Sequence, residues 1–260
     1  MLSRAAAVSP SCSHPRICQD PAIPTTHPTY ASLRKELEQW KLASGAGQIG
    51  GTLTRRLTAL GHQVVVANSR GPETLSDLAA ETGATAVSVP EAVRGVDLVV
   101  VTIPEKNISD LPPGLFAATP DRVVVIDTGN YYPRQRDGRI EAIEAGLPES
   151  QWVAQQLGRP VIKAFNNIYA RHLLELGRPK GAAGRIALPV AGDDAAAKAI
   201  VLKLVDELGF DAVDAGGLDE LRWRSSTASS SAYIAAAKRA RRESIARSSA
   251  LRSVPTACGP

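Results

Sequence analysis

The sequence predicts an open, mostly parallel α/β sheet of the doubly wound kind, and three observations point there. From residue 45 to about residue 221, short apolar runs alternate with helix-length segments, the rhythm of repeated βα units. Several runs are continuous β-branched stretches rather than alternating ones, as strands covered by helices on both faces require. A glycine-rich turn, Gly45-Ala-Gly-Gln-Ile-Gly50, opens the first helix of the series.

Taken in chain order, residues 1–44 read as an extension. Five Pro residues lie among Ser, Thr and His before residue 31, a composition that resists a packed core and predicts disorder. The residues from Leu33 to Leu42 show a helical spacing of Leu33, Leu37 and Trp40. Trp40 and Leu42 also alternate with polar neighbours, so a half-buried, edge-like strand before Gly45 is the second reading. A central parallel strand is not what that composition favours. Strands are then expected at Gln63–Ser69, Thr85–Val89, Val96–Ile103, Arg122–Asp127, Pro160–Phe165, Ile186–Ala191 and Phe210–Ala215. Helices are expected at Gln48–Leu60, Glu73–Thr82 and Asp193–Leu208. The last places Ala196, Ile200, Leu204 and Leu208 on one stripe, with Asp193 and Asp194 at its positive end. After Leu221 the rhythm stops, and residues 222–260 form a basic, Ser/Arg-rich tail with at most a weak helix at Tyr233–Arg252. The expected division is therefore an arm with a short helix or poor first strand (1–44), a sheet domain (45–221) and an irregular or disordered tail (222–260).

Composition narrows the function classes. The chain of 260 residues is 44% hydrophobic and 22% charged, ordinary for a globular protein. No apolar run approaches the roughly 18–20 residues of a membrane helix. Cys12, Cys18 and Cys258 lie near the ends of the sequence, which argues against a disulfide framework and for a reducing, cytoplasmic setting. His14 stands between the first two Cys without a zinc spacing. The net charge is +4, yet residues 222–260 hold eight Lys/Arg against one acid, while the span 45–221 is acidic. The basic balance thus belongs to the tail. Trp223 and Tyr233 are its only aromatics, which tells against nucleic-acid binding.

The glycine turn carries the sharpest chemistry. In G-x-G-x-x-G, Gly45 permits the tight turn, Gly47 lets a pyrophosphate approach the backbone, and Gly50 lets the helix pack closely on the sheet. Free amides at the helix start, with the positive dipole end, then hold the phosphates. This is the fingerprint of a Rossmann-type dinucleotide site. At the end of the second strand such sites place an acid for an NAD ribose, but no acid occurs between Val64 and Pro72. Asn68, Ser69 and Arg70 stand there instead. A hydroxyl and a guanidinium suit a 2′-phosphate, so NADP(H) is the expected cofactor.

These residues, with Val101-Thr-Ile-Pro104, Asp127-Thr-Gly-Asn-Tyr-Tyr-Pro133, Val161-Ile-Lys-Ala-Phe-Asn-Asn-Ile168 and Leu188-Pro-Val-Ala-Gly-Asp193, resemble the coenzyme F420-dependent NADP oxidoreductase family over about residues 45–221. The resemblance implies that Gln48 and Ile49 lie along the pyrophosphate, Ser69 and Arg70 at the 2′-phosphate, and Thr102, Ile103 and Pro104 toward the nicotinamide. It implies hydride transfer between NADPH and the deazaflavin F420, or a flavin-like acceptor, as a small-molecule redox partner.

Independently, Thr102–Pro104, Thr128–Asn130 and Asn166–Asn167 follow three different strands and should converge at the carboxyl edge of the sheet. Asn130, Asn166 and Asn167 are the candidate substrate contacts, since their amides bind without adding charge. Tyr131 and Tyr132 could wall a ring or simply pack. Lys163 is expected to keep its stem in the sheet and its ammonium at the surface. His62 and His172 have no carboxylate partner in sequence, so no catalytic acid or base and no metal ligand is assigned. That suits transfer between two cofactors, where the protein supplies orientation. A hydroxyacid dehydrogenase would need a proton donor and an appended helical domain, and none fits after Leu221. Three alternatives stay open: another acceptor such as a flavin or metal chelate, a non-catalytic NADP(H)-binding module, and DNA binding by the tail. Homo-oligomerisation also stays open.

Overall fold

The computed structural model describes residues 40–219. Residues 1–39 of the predicted arm, with Cys12 and Cys18 and most of its expected helix, and the basic tail fall outside those residues. Strand β1 (Lys41–Gly45) leads through the glycine turn into α1 (Gln48–Ala59) and β2 (Gln63–Ala67). A 3-10 turn at Pro72–Leu75 precedes α2 (Ser76–Thr82), β3 (Thr85–Ala86), α3 (Val89–Ala92) and β4 (Leu98–Val101). A second 3-10 segment, Glu105–Asp110, is followed by β5 (Val124–Asp127) and a π-helical turn at Pro133–Asp137. Then come α4 (Glu141–Glu144), α5 (Glu149–Leu157), β6 (Ile162–Lys163), α6 (Ala170–Glu175), β7 (Ala187–Val190), α7 (Ala195–Glu207) and β8 (Asp211–Asp214).

Six strands form one parallel sheet in the order β3-β2-β1-β4-β5-β6. This is the double winding of a Rossmann-type α/β fold, with the order reversing at β1. β7 and β8 pair in parallel, and a single antiparallel bridge from Ala191 to Lys163 ties them to β6. No helix among the described residues is long and apolar enough to cross a membrane.

The central strand corrects the sequence reading. Residues 41–45 are not an edge. β1 pairs residue for residue with β2 and also with β4, Ala43 lying between Val65 and Val99. The stretch is short but sufficient because its three inner residues are all buried, Leu42 completely. Leu42 enters the core formed with Leu53, Leu57 and Leu204, whereas Ala43 enters the opposite core with Val99, Val125 and Val153. The polar Ser44 is tolerated because its hydroxyl donates to the carbonyls of Gly45 (3.1 Å) and Gly50 (3.3 Å). Trp40 stacks on His62 with ring centroids 5.7 Å apart and lies under the Lys203 ammonium.

The same division explains the unbroken β-branched runs. In β4, Leu98 and Val100 face the first core while Val99 and Val101 face the second; in β5, Val124 and Ile126 oppose Val125. Alternating residues therefore serve two apolar layers rather than one layer and water. In α7 the buried stripe is Val201, Leu204 and Val205, continued by Leu208 just past its end, and it is turned from the predicted one so that Ala196 is exposed. Asp194 caps this helix, accepting from the amides of Ala196 (2.9 Å) and Ala197 (3.0 Å).

Leu42→Ala should destabilise the protein by about 2–5 kcal/mol, the usual cost of emptying a fully buried leucine site. Leu60→Ala, at a position that is 41% exposed, should cost under about 1 kcal/mol. Urea unfolding followed by circular dichroism measures both.

Candidate functional site

The carboxyl edge of β1 delivers Gly45 directly into the turn that starts α1. A Cβ placed on Gly50 would collide with the Gly45 carbonyl oxygen, and one on either Gly45 or Gly50 would collide with Thr102 Oγ1. These two positions are glycine because strand, helix and the loop after β4 touch there. Gly47 is different: it is exposed, and a Cβ on it would meet nothing nearer than the Thr102 carbonyl at 3.4 Å. Its bare surface faces the cleft. No side chain caps α1, and the first intrahelical bond runs from the Gly51 amide to the Gly47 carbonyl at 2.7 Å. The amides of Gln48, Ile49 and Gly50, in the first turn, are thus the ones a helix leaves for a ligand. The Ile49 side chain packs on the core, and the Gln48 side chain is exposed.

Across from this turn lies the loop after β2. Asn68 organises it: its Oδ1 accepts from the Arg70 amide (2.9 Å), and its Nδ2 donates to Thr74 Oγ1 (2.8 Å). Ser69 and Arg70 are exposed. Glycine turn and β2 loop line one cleft of about 480 Å3, together with Thr102, Ile103, Pro104 and an apolar floor that includes Leu111 and Phe116. Gly45, Gly47, Asn68, Ser69, Arg70 and the three residues after β4 are thereby brought together. The cleft volume lies within the range of small-molecule sites. Thr102 has a further role that its sequence position does not announce: its hydroxyl is buried between Gly45 and Gly50, without a hydrogen-bond partner.

The asparagines gather separately, at the edge of β5 and β6, outside the residues lining that cleft. Asn130 Nδ2 donates to the Asn166 carbonyl (2.7 Å), and Asn166 Nδ2 to Asn130 Oδ1 (3.2 Å). Asn166 Oδ1 and Asn167 Oδ1 are buried without a partner. Just before them Phe165, fully buried, has φ 63°, a conformation costly for a bulky side chain and concentrated at functional sites. Tyr131 packs inside, its hydroxyl accepting from the Ile140 amide (2.8 Å) and donating to Glu144 (3.0 Å). Tyr132 lies under the Arg136 guanidinium.

Behind these loops sits a group that the sequence reading placed wrongly. Lys163 does not reach the surface. It is buried, with Nζ 2.9 Å from Asp127 Oδ2 and 3.9 Å from Glu149 Oε2. Ser150 donates to the same Asp127 oxygen (2.7 Å), and the Gly129 amide donates to Oδ1 (2.8 Å). The strand is too short and too well covered for the stem to carry the ammonium out, so carboxylates are brought in. Burial alone would lower the Lys163 pKa, but Asp127, Glu105 and Glu149 hold it above the ordinary lysine value. Burial also pushes Glu149 up, against the pull of Lys163. His62, which lacked a sequence neighbour of opposite charge, has Glu207 3.5 Å away. It stands before β2, at the amino end of the strands, and burial lowers its pKa.

Comparison with known proteins agrees with the motifs. Residues 43–131 match the family NADP oxidoreductase, coenzyme F420-dependent. The match starts inside β1 and runs through β5 to Tyr131. Among solved structures, the chain is similar to a hypothetical protein from Sinorhizobium meliloti, with 29% identity and a TM-score of 0.59 over 70% of this chain and 87% of that one. It is similar also to a protein from Arthrobacter sp. FB24 named as an F420-dependent NADP reductase, with 23% identity and a TM-score of 0.57 over 71% and 87%. The 3-hydroxyisobutyrate dehydrogenase of Mycobacterium tuberculosis shares the fold at 17% identity and a TM-score of 0.51, over 69% of this chain and 55% of that one.

Lys163→Met should leave two buried carboxylates without their cation, at a cost of about 3–5 kcal/mol near neutral pH. The Glu149 carboxyl, already pushed up by burial, would then lose the opposing pull of Lys163 and sit further above its unfolded pKa. Stability from such groups is present at low pH and is lost as pH rises, so the deficit should shrink as pH is lowered toward about 5. Denaturant midpoints at several pH values test this.

Proposed function

We propose that the protein is an NADP(H)-dependent oxidoreductase that passes a hydride between NADPH and a deazaflavin such as coenzyme F420, or a flavin-like acceptor. The observation that carries this reading is the pairing, in one cleft, of the bare first turn of α1 with Ser69 and Arg70, and no acid between Val64 and Pro72. The residues present fit the cofactor: Gly47 leaves room where a side chain would fill the approach to the amides. In the site as read, the amides of Gln48, Ile49 and Gly50 hold the diphosphate. The Arg70 guanidinium, which makes no hydrogen bond or ion pair to a described residue, meets the 2′-phosphate, where a fork of N–H donors suits a phosphate dianion. Thr102 supports the turn from beneath, while Ile103 and Pro104 line the way toward the nicotinamide.

Asn130, Asn166 and Asn167, in the loops after β5 and β6, are the residues this reading sets toward a carboxamide or a deazaflavin ring, whose N–H and O–H groups an amide oxygen can accept. When bound, NADPH supplies the hydride; the chain's residues orient the two rings and keep water from between them. No titrating side chain is needed at the reacting atoms. The intact β1 removes one motive for a non-catalytic reading. The cytoplasm is the compartment this reading assigns.

The test is direct. Titration with NADPH and NADP should show binding, and absorbance assays should show NADPH oxidation by F420 or by a free flavin. Tight binding with no turnover on any acceptor would make the protein a binding module; absence of binding would overturn both. Arg70→Glu should weaken NADPH by about tenfold to a hundredfold, the worth of one charge-assisted contact, and leave NADH nearly unchanged. Equal losses for both dinucleotides would show that Arg70 does not meet the 2′-phosphate.

A further inference from the structure

One of the buried charged groups that the reaction does not use has no partner for its charge. Glu105 follows the cleft-lining residues Thr102, Ile103 and Pro104 and begins the 3-10 segment that packs on α5 and on the 133–137 turn. Its side chain is completely buried, and neither carboxyl oxygen has a hydrogen-bond partner. The carboxyl group is pressed against the loop after β5: a Cβ on Gly129 would overlap Glu105 Oε1 and would meet Asp127 Oδ1 at 3.1 Å. Glu105 is therefore a point where the loop bearing Ile103 and Pro104 touches the loop bearing Asn130, beside the bond from the Lys106 amide to Asp137.

The charges around that point are uneven. Asp127 on β5 and Glu149 on α5 already take the single ammonium of Lys163 on β6. Asp137, from the 133–137 turn, adds a further negative charge, itself held by Arg136 (2.9 Å) and by the amides of Tyr132 (2.7 Å) and Lys106 (3.4 Å). An ionised Glu105 would have no cation of its own and no donor, which a buried charge cannot sustain. Burial, with the repulsion of Asp127, pushes its pKa up to about 8, against the pull of Lys163.

We infer that Glu105 is a positioning residue that holds the loops after β4 and β5 together only as the uncharged carboxylic acid, and that its ionisation parts them and weakens the cofactor cleft. The link to NADPH rests on the cofactor reading above; the link to the loops does not. The sign follows from the raised pKa. Below the pH at which an exposed glutamate titrates, folded and unfolded chains both hold the proton. Between there and about pH 8 only the folded chain holds it, so stability from this group falls as pH rises, and the loss is complete above that value.

The experiment compares wild type with Glu105→Gln, which has the shape of the acid and cannot ionise, using the full chain. In wild type, an infrared carbonyl band of a protonated carboxyl group should be present at neutral pH and fade around pH 8; in Glu105→Gln it should be missing. Hydrogen exchange corrected for its intrinsic pH dependence should speed up several-fold above that pH in residues 102–110 and 128–137 of wild type, and stay flat in the variant. NADPH affinity should fall by up to about tenfold per pH unit over the same interval, the limit set by one proton, again only in wild type. Glu149→Gln serves as a second variant: with one like charge removed, the wild-type transition should move to lower pH. Identical pH responses in wild type and Glu105→Gln would overturn the inference, as would a carbonyl band of undiminished intensity in Glu105→Gln. Failure of NADPH to bind at any pH would instead sink the cofactor reading, and the exchange and infrared data would still decide the role of Glu105.

Discussion

Everything at the carboxyl edge of the sheet depends on β1 being buried on both faces. A parallel strand in this position must satisfy two apolar layers and two hydrogen-bonding neighbours at once. β1 does so with five residues, Leu42 filling one layer and Ala43 the other. Because its register with β4 is set by those contacts, Gly45 arrives beside Thr102, and the first turn of α1 is clamped onto the Gly45 carbonyl through Gly50. The uncapped amides are in this sense an output of core packing. Nothing in the turn itself would hold them at that place.

Beneath the loops, the fold solves a different problem. The sheet narrows toward β6, where only Ile162 and Lys163 are in strand pairing. A lysine there has neither the length of strand nor the open edge needed to reach water. The answer is a small ionic core in which Lys163 holds Asp127, at the end of β5, and Glu149, at the start of α5. Ion pairs of this kind add little net stability because their desolvation is expensive. What they add is position: Asp127 also fixes the Gly129 amide and Ser150. The loop carrying Asn130 is thus tied to the strand carrying Asn166 through charge as well as through the amide pair.

Much of this could be read from residue order alone. Continuous β-branched runs gave the parallel sheet, and the glycine spacing gave the turn and its helix, because both signals are local. The order Asn68-Ser69-Arg70 pointed to the cleft for the same reason. The central strand was missed because Lys41-Leu-Ala-Ser-Gly45 carries only two apolar side chains; its burial comes from neighbours distant in sequence, and the Ser44 hydroxyl is satisfied by a carbonyl of the next helix. Lys163 was misplaced on the same ground. Its partners lie 36 and 14 positions earlier, and no periodicity marks them. The hydroxyl of Thr102 and the carboxyl of Glu105 were equally invisible, since burial without a partner is a property of the assembled loops.

That invisible group changes how the site is to be understood. Two loops that meet through an uncharged acid differ from two loops that meet through an ion pair, because the first contact is conditional on a proton and the second is nearly constant across neutral pH. Here both kinds lie side by side: Asp127 with Lys163 is the constant one, and Glu105 against Gly129 is the conditional one. Burial is the main reason the other is conditional; the repulsion of Asp127 adds to it, against the pull of the Lys163 ammonium. A cofactor cleft bordered by such a contact is sensitive to pH although no group at the reacting rings titrates. The sensitivity belongs to how the loops are held, which is where a protein that contributes orientation rather than acid–base chemistry would be expected to show it.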